Sequence, residues 1–429
     1  MKKETISFKE TGYFSKKFLD FIDNESLSYY PNEKNILNVI KNFNFSKVNR
    51  ELLSKELEFQ YKSLVTSSIV NDNIKSIMSD NTFTVTTGHQ LNIFTGPMYV
   101  IYKIVSVIKL SRMLSEKYPK YKFVPIYWMA SEDHDFDEIK SFYSSGKTYS
   151  WDIESKGPVG NLNTEALKNI FDEDISIPDF FREAYSSSSS LSEAVKKYMN
   201  HLFGEYGLIT IDPNSKNLKK SISDIIVDDV VNNTIEKVEK SSEKTSDVYV
   251  RKINFFFQGS DFRERIDKTN KYNILSTNLS FTEKEIKDKI GSSPELFSPN
   301  VITRCLYQQR ILPNICYIGG PAEIVYWESF KKFFEYYDIP YPVLVPRDFV
   351  LLITTKIQKL INKLKLSLTD LFIDKNKIEN KVLGIEKYES KNFKKEIDDI
   401  NKILYNISEK FETEDPTMKP HVLATAKKM

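Results

Sequence analysis

Residues 84–137 constrain the fold of this chain more than any other segment. A β-branched run at residues 83–87 leads into the turn Gly88-His89-Gln90, and Thr95-Gly96-Pro97 then opens an amphipathic helical pattern. A second apolar run, residues 123–129, ends in a cluster of acids. This order predicts a strand, a helix and a second strand. Because ligands bind at the carboxyl ends of the strands in an open parallel sheet, the segment predicts a fold and a site together.

The same pattern returns further along the chain. Residues 315–318 are apolar, Gly319-Gly320-Pro321 forms a turn before a helical pattern, and the apolar run 343–345 ends near Arg347. Other strand signals lie at 208–211 and 249–257, and residues 1–80 show mostly helical spacing. Alternating strands and helices predict an α/β core over residues 1–350 with a mostly parallel sheet. Inserted connecting segments are expected at roughly 141–300.

From residue 351 onward the apolar residues adopt the spacing of a coiled coil. Isoleucine, leucine and phenylalanine recur mostly at intervals of three and four residues, or of seven. They are Ile353, Ile357, Leu360, Leu364, Leu371, Ile378 and Ile385, followed by Phe393, Ile397, Ile400, Leu404, Ile407 and Phe411. The pattern predicts an α-helical coiled-coil arm over residues 351–429 that carries interaction rather than chemistry.

The composition argues against several classes of partner. The 61 Lys+Arg residues against 59 Asp+Glu leave a net charge of +2, so neither a nucleic-acid tract nor a polybasic membrane surface is indicated. The chain lacks the apolar stretch of a signal peptide and any apolar run long enough to span a membrane. Cys305 and Cys316 lie in or beside apolar segments and give no disulfide framework. We expect a soluble, cytoplasmic protein that binds neither nucleic acid nor membrane.

The turns after the first strand form one candidate anion site. Glycines let the backbone approach a ligand closely, and the start of the following helix offers free N–H groups to an anion. The candidate binding residues here are Gly88, His89, Gln90, Thr95, Gly96, Tyr99 and Lys103. The spacing matches neither a P-loop nor a dinucleotide fingerprint, so two purely structural turns remain the alternative.

Glu132, Asp133, His134 and Asp135 form the second candidate group, at the end of the second apolar run. Adjacent acids at a buried strand end are costly unless water, a cation, a metal or an amine compensates them. A carboxylate beside a histidine suits general-base work, so we assign Asp133, His134 and Asp135 as candidate catalytic residues and Glu132 as a binding residue. A metal site and a solvated loop are the alternatives, but neither an HExxH motif nor a cysteine pair supports a metal.

The third group combines a second helix start with basic residues. Arg304 offers a fork for a carboxylate or a phosphate, and a structural salt bridge fits it equally well. Glu323 lies in the first turn of the helix that follows Gly320, where the helix dipole favours an acid anyway. The candidate binding residues here are Asn300, Arg304, Gln308, Gly319, Gly320, Glu323, Tyr326 and Arg347.

Six parts of the sequence stand out when they are taken in order: TGHQ…FTGPMYVIYK, VPIYWMASEDHDFDEI, FRERI, SPNVITR, LYQ…ILPNICYIGGPAEIVYW and PVLVPR. Together they resemble the bacillithiol biosynthesis cysteine-adding enzyme family, also called cysteine ligases, from about residue 8 to the coiled-coil segment. The resemblance implies a Rossmann-like core, similar to that of class I aminoacyl-tRNA synthetases. It also implies a homodimer formed through the coiled coil.

The resemblance further implies a reaction. The family is proposed to join cysteine to the amino group of glucosaminyl malate, which gives the thiol bacillithiol, and ATP is the simplest activator of the cysteine carboxyl group. The acidic group would then hold the amine, and the basic residues would hold the malate carboxylates or a phosphate. Two departures stand out: the family often has glutamine where this chain has His89, and its members usually continue into a second coiled-coil arm beyond the position of Met429. We therefore expect a shortened arm and assign no inherited catalytic role to His89.

Two other functions fit the same residues. One is a non-catalytic nucleotide-binding or scaffold protein that presents the coiled-coil arm. The other is a nucleotidyl-transferring enzyme related by fold alone. The acidic group argues against the scaffold, because a scaffold has no need for adjacent acids and a histidine at a strand end.

Overall fold

The computed structural model describes residues 3–144, 146–173, 177–384, 394–414 and 422. The chain divides into two compact units, one of which spans Ser15–Leu351 while the other joins Met1–Phe14 to Leu352–Met429. None of the helices described is both long and apolar enough to cross a membrane.

Helices and strands alternate through most of the chain. The helices are α1 Phe8–Thr11, α2 Lys16–Asp23, α3 Glu33–Asn42, α4 Lys47–Tyr61, α5 Ser68–Ser76, α6 Met98–Lys117, α7 Lys168–Glu173, α8 Asp179–Ser186, α9 Leu191–Phe203, α10 Lys216–Lys220, α11 Ser223–Asn232, α12 Thr234–Ser241, α13 Glu283–Ser292, α14 Val301–Ile311, α15 Pro321–Tyr336, α16 Thr355–Lys363, α17 Lys375–Leu383 and α18 Lys394–Glu414. The strands are β1 Thr82–His89, β2 Lys122–Met129, β3 Ser141–Ser144, β4 Lys147–Ser150, β5 Ile209–Ile211, β6 Phe255–Gln258, β7 Arg263–Lys268, β8 Tyr272–Ile274, β9 Ser280–Phe281, β10 Phe297–Pro299, β11 Asn314–Gly319 and β12 Val343–Pro346.

Five parallel strands form the main sheet of the larger unit, in the order β12-β11-β1-β2-β5. Residues that point to both faces of β1 are buried, so its threonines lie in the interior together with Phe83 and Val85. Numbered along the chain from the β5 edge, these strands run 3-2-1-4-5, which is the order of a Rossmann-type sheet. The predicted α/β fold with a mostly parallel sheet is confirmed.

The inserted segments add a second sheet and a helical layer to the same unit. The second sheet is antiparallel, in the order β10-β6-β7-β8-β9, and β3 and β4 form a separate hairpin. The strand predicted at 249–257 is shorter than predicted, because only Phe255–Gln258 pair within this sheet. Helices α8 and α9 contribute Tyr185 and Tyr198 to an apolar core that also contains Trp151 and residues of α6 and β2.

The C-terminal part of the smaller unit is helical but interrupted. Helix α16 ends at Lys363, Lys365 has a φ of 54°, and Leu371 lies in the 3-10 helix Thr369–Phe372 before α17 begins. The predicted arm is thus helical in separate segments here, with Leu371 outside the α-helices, while Ile385 and Phe393 lie outside the described residues. Pairing of this region as a coiled coil, and a homodimer through it, stay predictions.

Candidate functional site

The main sheet has a topological switch point between β1 and β11. From β1 the chain passes through α6 to β2 on one side, and from β11 it passes through α15 to β12 on the other side. The carboxyl ends of these parallel strands meet at one edge, and in sheets of this order a ligand-binding crevice opens there. Most of the predicted residues follow β1, β2, β11 and β12 and so lie along this edge, which we call the carboxyl edge. Asn300, Arg304 and Gln308 instead cap or lie on α14.

A buried ion pair joins α6 to α15 across the switch point. Lys103 Nζ donates to Glu323 Oε2 at 2.7 Å and also to the carbonyl oxygen of Gly88. Glu323 accepts two further hydrogen bonds, from the Tyr317 hydroxyl at 2.6 Å and from the Gly320 N–H at 2.8 Å. Burial would raise the pKa of Glu323, but Lys103 and these donors hold it below its ordinary value, so the pair is charged. The charge of Lys103 is thus engaged by protein groups, which argues against its predicted use as an anion contact.

The two helix starts at the carboxyl edge differ in their free N–H groups. At α15 the Glu323 carboxylate accepts from the N-cap residue Gly320 and adds a negative charge to the first turn. At α6 the N-cap residue is Pro97, and within the described chain neither a side-chain cap nor an acid occupies the first turn. An anion therefore meets uncapped donors at α6 and a competing carboxylate at α15.

The turn that leads into α6 has an unusual backbone. Phe94, Thr95 and Gly96 have φ values of 52°, 68° and 63°, which lie in the left-handed region. A Cβ atom on Gly96 would lie only 2.4 Å from the Cβ of Asn92, so glycine is required there. The Phe94 N–H donates to the buried Tyr185 hydroxyl at 2.9 Å, which helps to hold the turn. Strained backbone of this kind is concentrated at ligand sites, so the turn supports the predicted role of Thr95 and Gly96.

Arg304, on α14, brings a guanidinium group to the end of β1. Its Nη1 lies 3.1 Å from the position of a Cβ atom on Gly88, and it donates to Gln308 Oε1 at 3.3 Å. Among the described residues, no carboxylate forms an ion pair with Arg304, and the buried Nε2 of Gln308 has no hydrogen-bond partner. A guanidinium group without a carboxylate and an amide donor without an acceptor together suit a carboxylate or phosphate ligand.

His89 ends β1 with a neutral ring. Burial and the charges of Lys103 and Arg347 lower the pKa of His89 to about 3. Its Nε2 is buried, and no described residue gives that atom a hydrogen bond. The ring meets Tyr99 edge-on at 5.5 Å between centroids, and the Arg347 guanidinium carbon lies 5.4 Å from the Tyr99 centroid. His89 can therefore hydrogen-bond to a ligand, but at neutral pH it does not supply a positive charge.

Glu132 lies at the buried end of the acidic group. Lys219 Nζ forms an ion pair with it and also donates to the Phe297 carbonyl oxygen at 3.0 Å. The Nε2 of Gln258 donates to the same carboxylate at 3.3 Å. With its side chain only 7% exposed, Glu132 fastens the loop to the inserted segments, which argues against its predicted role in ligand binding.

Asp133 is a more open carboxylate of the same loop. Gln90 Nε2 donates to its Oδ2 at 2.9 Å, and the backbone N–H groups of His134 and Asp135 donate to its Oδ1 at 2.7 and 3.3 Å. Burial would raise the pKa of Asp133, but these hydrogen bonds and the charge of Arg263 hold it well below its ordinary value. Asp133 is therefore ionised at neutral pH, and its side chain remains 29% exposed to accept from a ligand.

Arg263, on β7, also contacts this loop, although it was not among the residues predicted from the sequence. Its Nη1 lies 2.8 Å from Nδ1 of His134, while Nε donates to Ser298 Oγ at 2.8 Å and Nη2 donates to the Pro299 carbonyl oxygen at 2.8 Å. The guanidinium carbon also lies 3.9 Å from the Phe256 ring centroid. The only signal in the sequence is the segment FRERI, whose alternating charges along β7 are equally typical of a solvated strand face.

Three other predicted residues have clear places. Asn300 Oδ1 accepts from the backbone N–H groups of Ile302 and Thr303 at 2.9 and 3.1 Å, so Asn300 caps α14. Gln90 orients Asp133, and Tyr326 is partly exposed on α15 one turn after Glu323. No group of three or more metal-binding side chains occurs in the part of the chain that the structure describes.

Comparisons with known proteins agree on a family. The sequence profile described as "Bacillithiol biosynthesis BshC, N-terminal Rossmann-like domain" matches residues 1–348. A relative from Flavobacterium johnsoniae named "Putative cysteine ligase BshC" is 39% identical over 405 residues, which cover 89% of this chain and 77% of that protein. A relative of the same name from Flavobacterium psychrophilum is 40% identical over 397 residues, covering 87% and 75% of the two chains. The chain therefore belongs to the BshC family of bacillithiol biosynthesis, whose relatives are named as ligases.

Proposed function

We propose that this protein joins the carboxyl group of cysteine to the amino group of glucosaminyl malate, which forms bacillithiol. The observation that carries the proposal is the division of the carboxyl edge into a basic half and an acidic half. Arg347 follows β12, and Arg304 lies at the end of β1 beside the neutral ring of His89, whereas Asp133 and Asp135 follow β2. Neighbouring strands are about 4.8 Å apart, so the two halves lie on the order of 10 Å from each other. One ligand with carboxylates at one end and an amine at the other can span this distance.

The basic half suits the malate group. Malate carries two carboxylates, and a guanidinium fork binds a carboxylate through two parallel hydrogen bonds. Arg304 supplies such a fork, and the unpartnered Nε2 of Gln308 supplies a third donor beside it. Lys103 is left out of this set because Glu323 already holds its charge.

The acidic half suits the amine. An ammonium group binds where a carboxylate is ionised and accessible, and Asp133 meets both conditions. The unprotonated amine attacks, and its nitrogen becomes far more acidic once the C–N bond has formed. The Asp133 carboxylate, with Asp135 beside it, is the acceptor that we assign to the proton that leaves this nitrogen. His134 lies on the same loop and completes the candidate catalytic group.

Formation of an amide from a carboxylate and an amine is uphill in water, so the cysteine carboxyl group needs activation. ATP is the simplest donor, because it converts one carboxylate oxygen into part of a phosphate leaving group. The amine lone pair then forms the C–N bond, and the phosphate departs with the electrons of the C–O bond. The uncapped start of α6 is the anion site that we assign to this phosphate, since Glu323 competes for the start of α15.

A direct assay tests the proposal. Purified protein is supplied with cysteine and glucosaminyl malate, with and without ATP, and the thiol product and the nucleotide are followed by mass spectrometry. The proposal predicts bacillithiol in the complete mixture and consumption of ATP in step with the product. Product without nucleotide consumption would remove ATP from the proposal, and the absence of product under every condition would contradict the ligase activity itself.

A further inference from the structure

The contact between Arg263 and His134 determines where the imidazole proton sits. Guanidinium nitrogens carry only donor hydrogens, so an Arg263 Nη1 at 2.8 Å from Nδ1 of His134 requires a lone pair on Nδ1. A neutral imidazole has one proton, which must then be on Nε2. His134 therefore offers Nε2–H as a hydrogen-bond donor, and Nδ1 is occupied.

Two charged groups near Nδ1 favour opposite protonation states of this nitrogen. The Asp133 carboxylate would favour a proton on that nitrogen, but its Oδ1 is 3.6 Å away, beyond good hydrogen-bond length. Arg263 is closer, and it is also held independently of His134 by Ser298, by the Pro299 carbonyl oxygen and by the ring of Phe256. The fixed guanidinium group therefore decides the tautomer, and the Asp133 carboxylate does not take a proton from the imidazole.

We propose that Arg263 is a positioning residue that holds His134 as the Nε2–H tautomer, so that His134 acts as a hydrogen-bond donor rather than as the base. This inference rests on the proposed function, because it assigns different roles in that reaction to His134 and Asp133. When the amine lone pair forms the C–N bond, the π electrons of the cysteine carbonyl move to its oxygen, and His134 Nε2–H stabilises that oxygen without giving up its proton. Asp133 takes the amine proton. Neutral imidazoles are known to polarise carbonyl oxygens in this way.

Nitrogen-15 NMR tests the tautomer without any need for turnover. The chain has 4 histidines, so labelled histidine gives few signals, and the spectrum of His134→Gln identifies the signal of His134. We expect the protein to show a protonated Nε2 and an unprotonated Nδ1 at His134. In Arg263→Met, which keeps an aliphatic chain against Phe256 but has no donor, Asp133 should capture a proton on Nδ1 and change this pattern. Arg265→Met is the matched control, because Arg265 is an exposed residue of the same strand.

Two results would overturn the inference. One is a protonated Nδ1 at His134 in the unaltered protein, and the other is an Arg263→Met spectrum identical to that of the control. Because neither result depends on product formation, a failure here is distinguishable from a failure of the proposed ligase activity. If Arg263→Met does not fold, Arg263→Lys is measured instead. Lysine keeps the positive charge and an N–H donor, so Nδ1 of His134 should stay unprotonated in this variant, and a protonated Nδ1 would contradict the inference.

Two substitutions at His134 distinguish a role as hydrogen-bond donor from a role as general base. The amide nitrogen of glutamine reaches the position of Nε2, whereas that of asparagine reaches only the position of Nδ1. A donor role predicts that His134→Gln keeps a kcat about tenfold above that of His134→Asn. The KM values for both substrates should stay within about threefold, because the contact matters mainly in the transition state. An equal loss of kcat in the two variants would contradict the donor role.

Discussion

Replacement of Lys103 by methionine tests the buried ion pair at the switch point. The variant leaves the Glu323 carboxylate without its cation and the Gly88 carbonyl oxygen without its donor. Removal of one partner of a buried ion pair generally costs about 3–5 kcal/mol. Glu323 keeps its bonds from Tyr317 and Gly320 and is 21% exposed, so we expect the lower end of this range.

A double variant isolates the interaction. Lys103→Met combined with Glu323→Gln removes both charges, and its unfolding free energy should fall by only about 1 kcal/mol. Lys103→Met alone should therefore lower the unfolding free energy by about 2 kcal/mol more than the double variant does, and the single variant Glu323→Gln completes the cycle from which the coupling energy is obtained. Lys117→Met is the surface control. The side chains of Lys117 and its partner Glu33 are 54% and 53% exposed, so this variant should leave the unfolding free energy nearly unchanged.

Urea unfolding followed by tryptophan fluorescence measures these changes in unfolding free energy for the unit that contains the ion pair. Trp128, Trp151 and Trp327 all lie in the unit Ser15–Leu351, so the signal does not report the smaller unit. A Lys103→Met variant within about 1 kcal/mol of the unaltered protein, with no coupling to Glu323, would refute the structural role. If such a stable variant also lost substrate affinity, the result would instead support the predicted role of Lys103 as a contact for an anionic group of the substrate.

Three further substitutions test other parts of the account. The pKa of a histidine is near 6.5 in the unfolded chain, whereas burial lowers the pKa of His89 to about 3 in the folded protein. Below pH 6.5 the unfolded state therefore binds a proton that the folded state does not bind. Between pH 7 and pH 5 the unfolding free energy should therefore fall by about 2 kcal/mol from this group, and His89→Gln, measured by urea unfolding at both pH values, should remove that fall. Gly96→Ala forces a Cβ atom against Asn92 at positive φ, so we expect a loss of about 2 kcal/mol or more in the unfolding free energy and a loss of turnover. Arg304→Gln removes a cation that has no carboxylate partner in the described chain, so KM for glucosaminyl malate should rise about 30-fold while stability is unchanged or improved.

The parallel sheet was predictable because its signal is local. Apolar or β-branched runs separated by a helical pattern indicate strands buried on both faces: β2, β11 and β12 arise from apolar runs, and β1 arises from a run rich in threonine and valine. The carboxyl edge followed from the same pattern, since the polar residues directly follow the strands.

The partners within the site were not predictable, because they are distant in the sequence. Lys219 meets Glu132 across 87 positions, and Arg263 meets His134 across 129 positions. A single sequence shows the acids after β2 but not the cations that the inserted segments bring to them. For this reason the sequence alone does not distinguish Glu132, whose charge is paired with Lys219 in the interior, from Asp133, whose carboxylate stays accessible.

The break in the C-terminal helices had a local cause that apolar spacing does not reveal. The Asp370 carboxylate accepts from the Ser367 N–H and hydroxyl, each at 2.7 Å, and from Lys381 at 2.7 Å. These bonds stabilise the turn before the 3-10 helix Thr369–Phe372, and they compete with a continuous α-helix. A heptad count registers Leu371 as a seam position although the backbone around it is not α-helical.

The most direct test of the central claim compares two aspartates of one loop. Asp133→Asn removes the accessible carboxylate assigned to the amine, and Asp137→Asn changes an exposed acid that pairs with Lys140. Bacillithiol formation is measured by mass spectrometry for both variants, with matched fluorescence unfolding curves to show that each is folded. We expect at least a 100-fold loss of kcat in Asp133→Asn, of the order expected for a lost general base, and no significant change in Asp137→Asn. Equal activity of the two folded variants would contradict the assignment of the carboxyl edge as the ligase site.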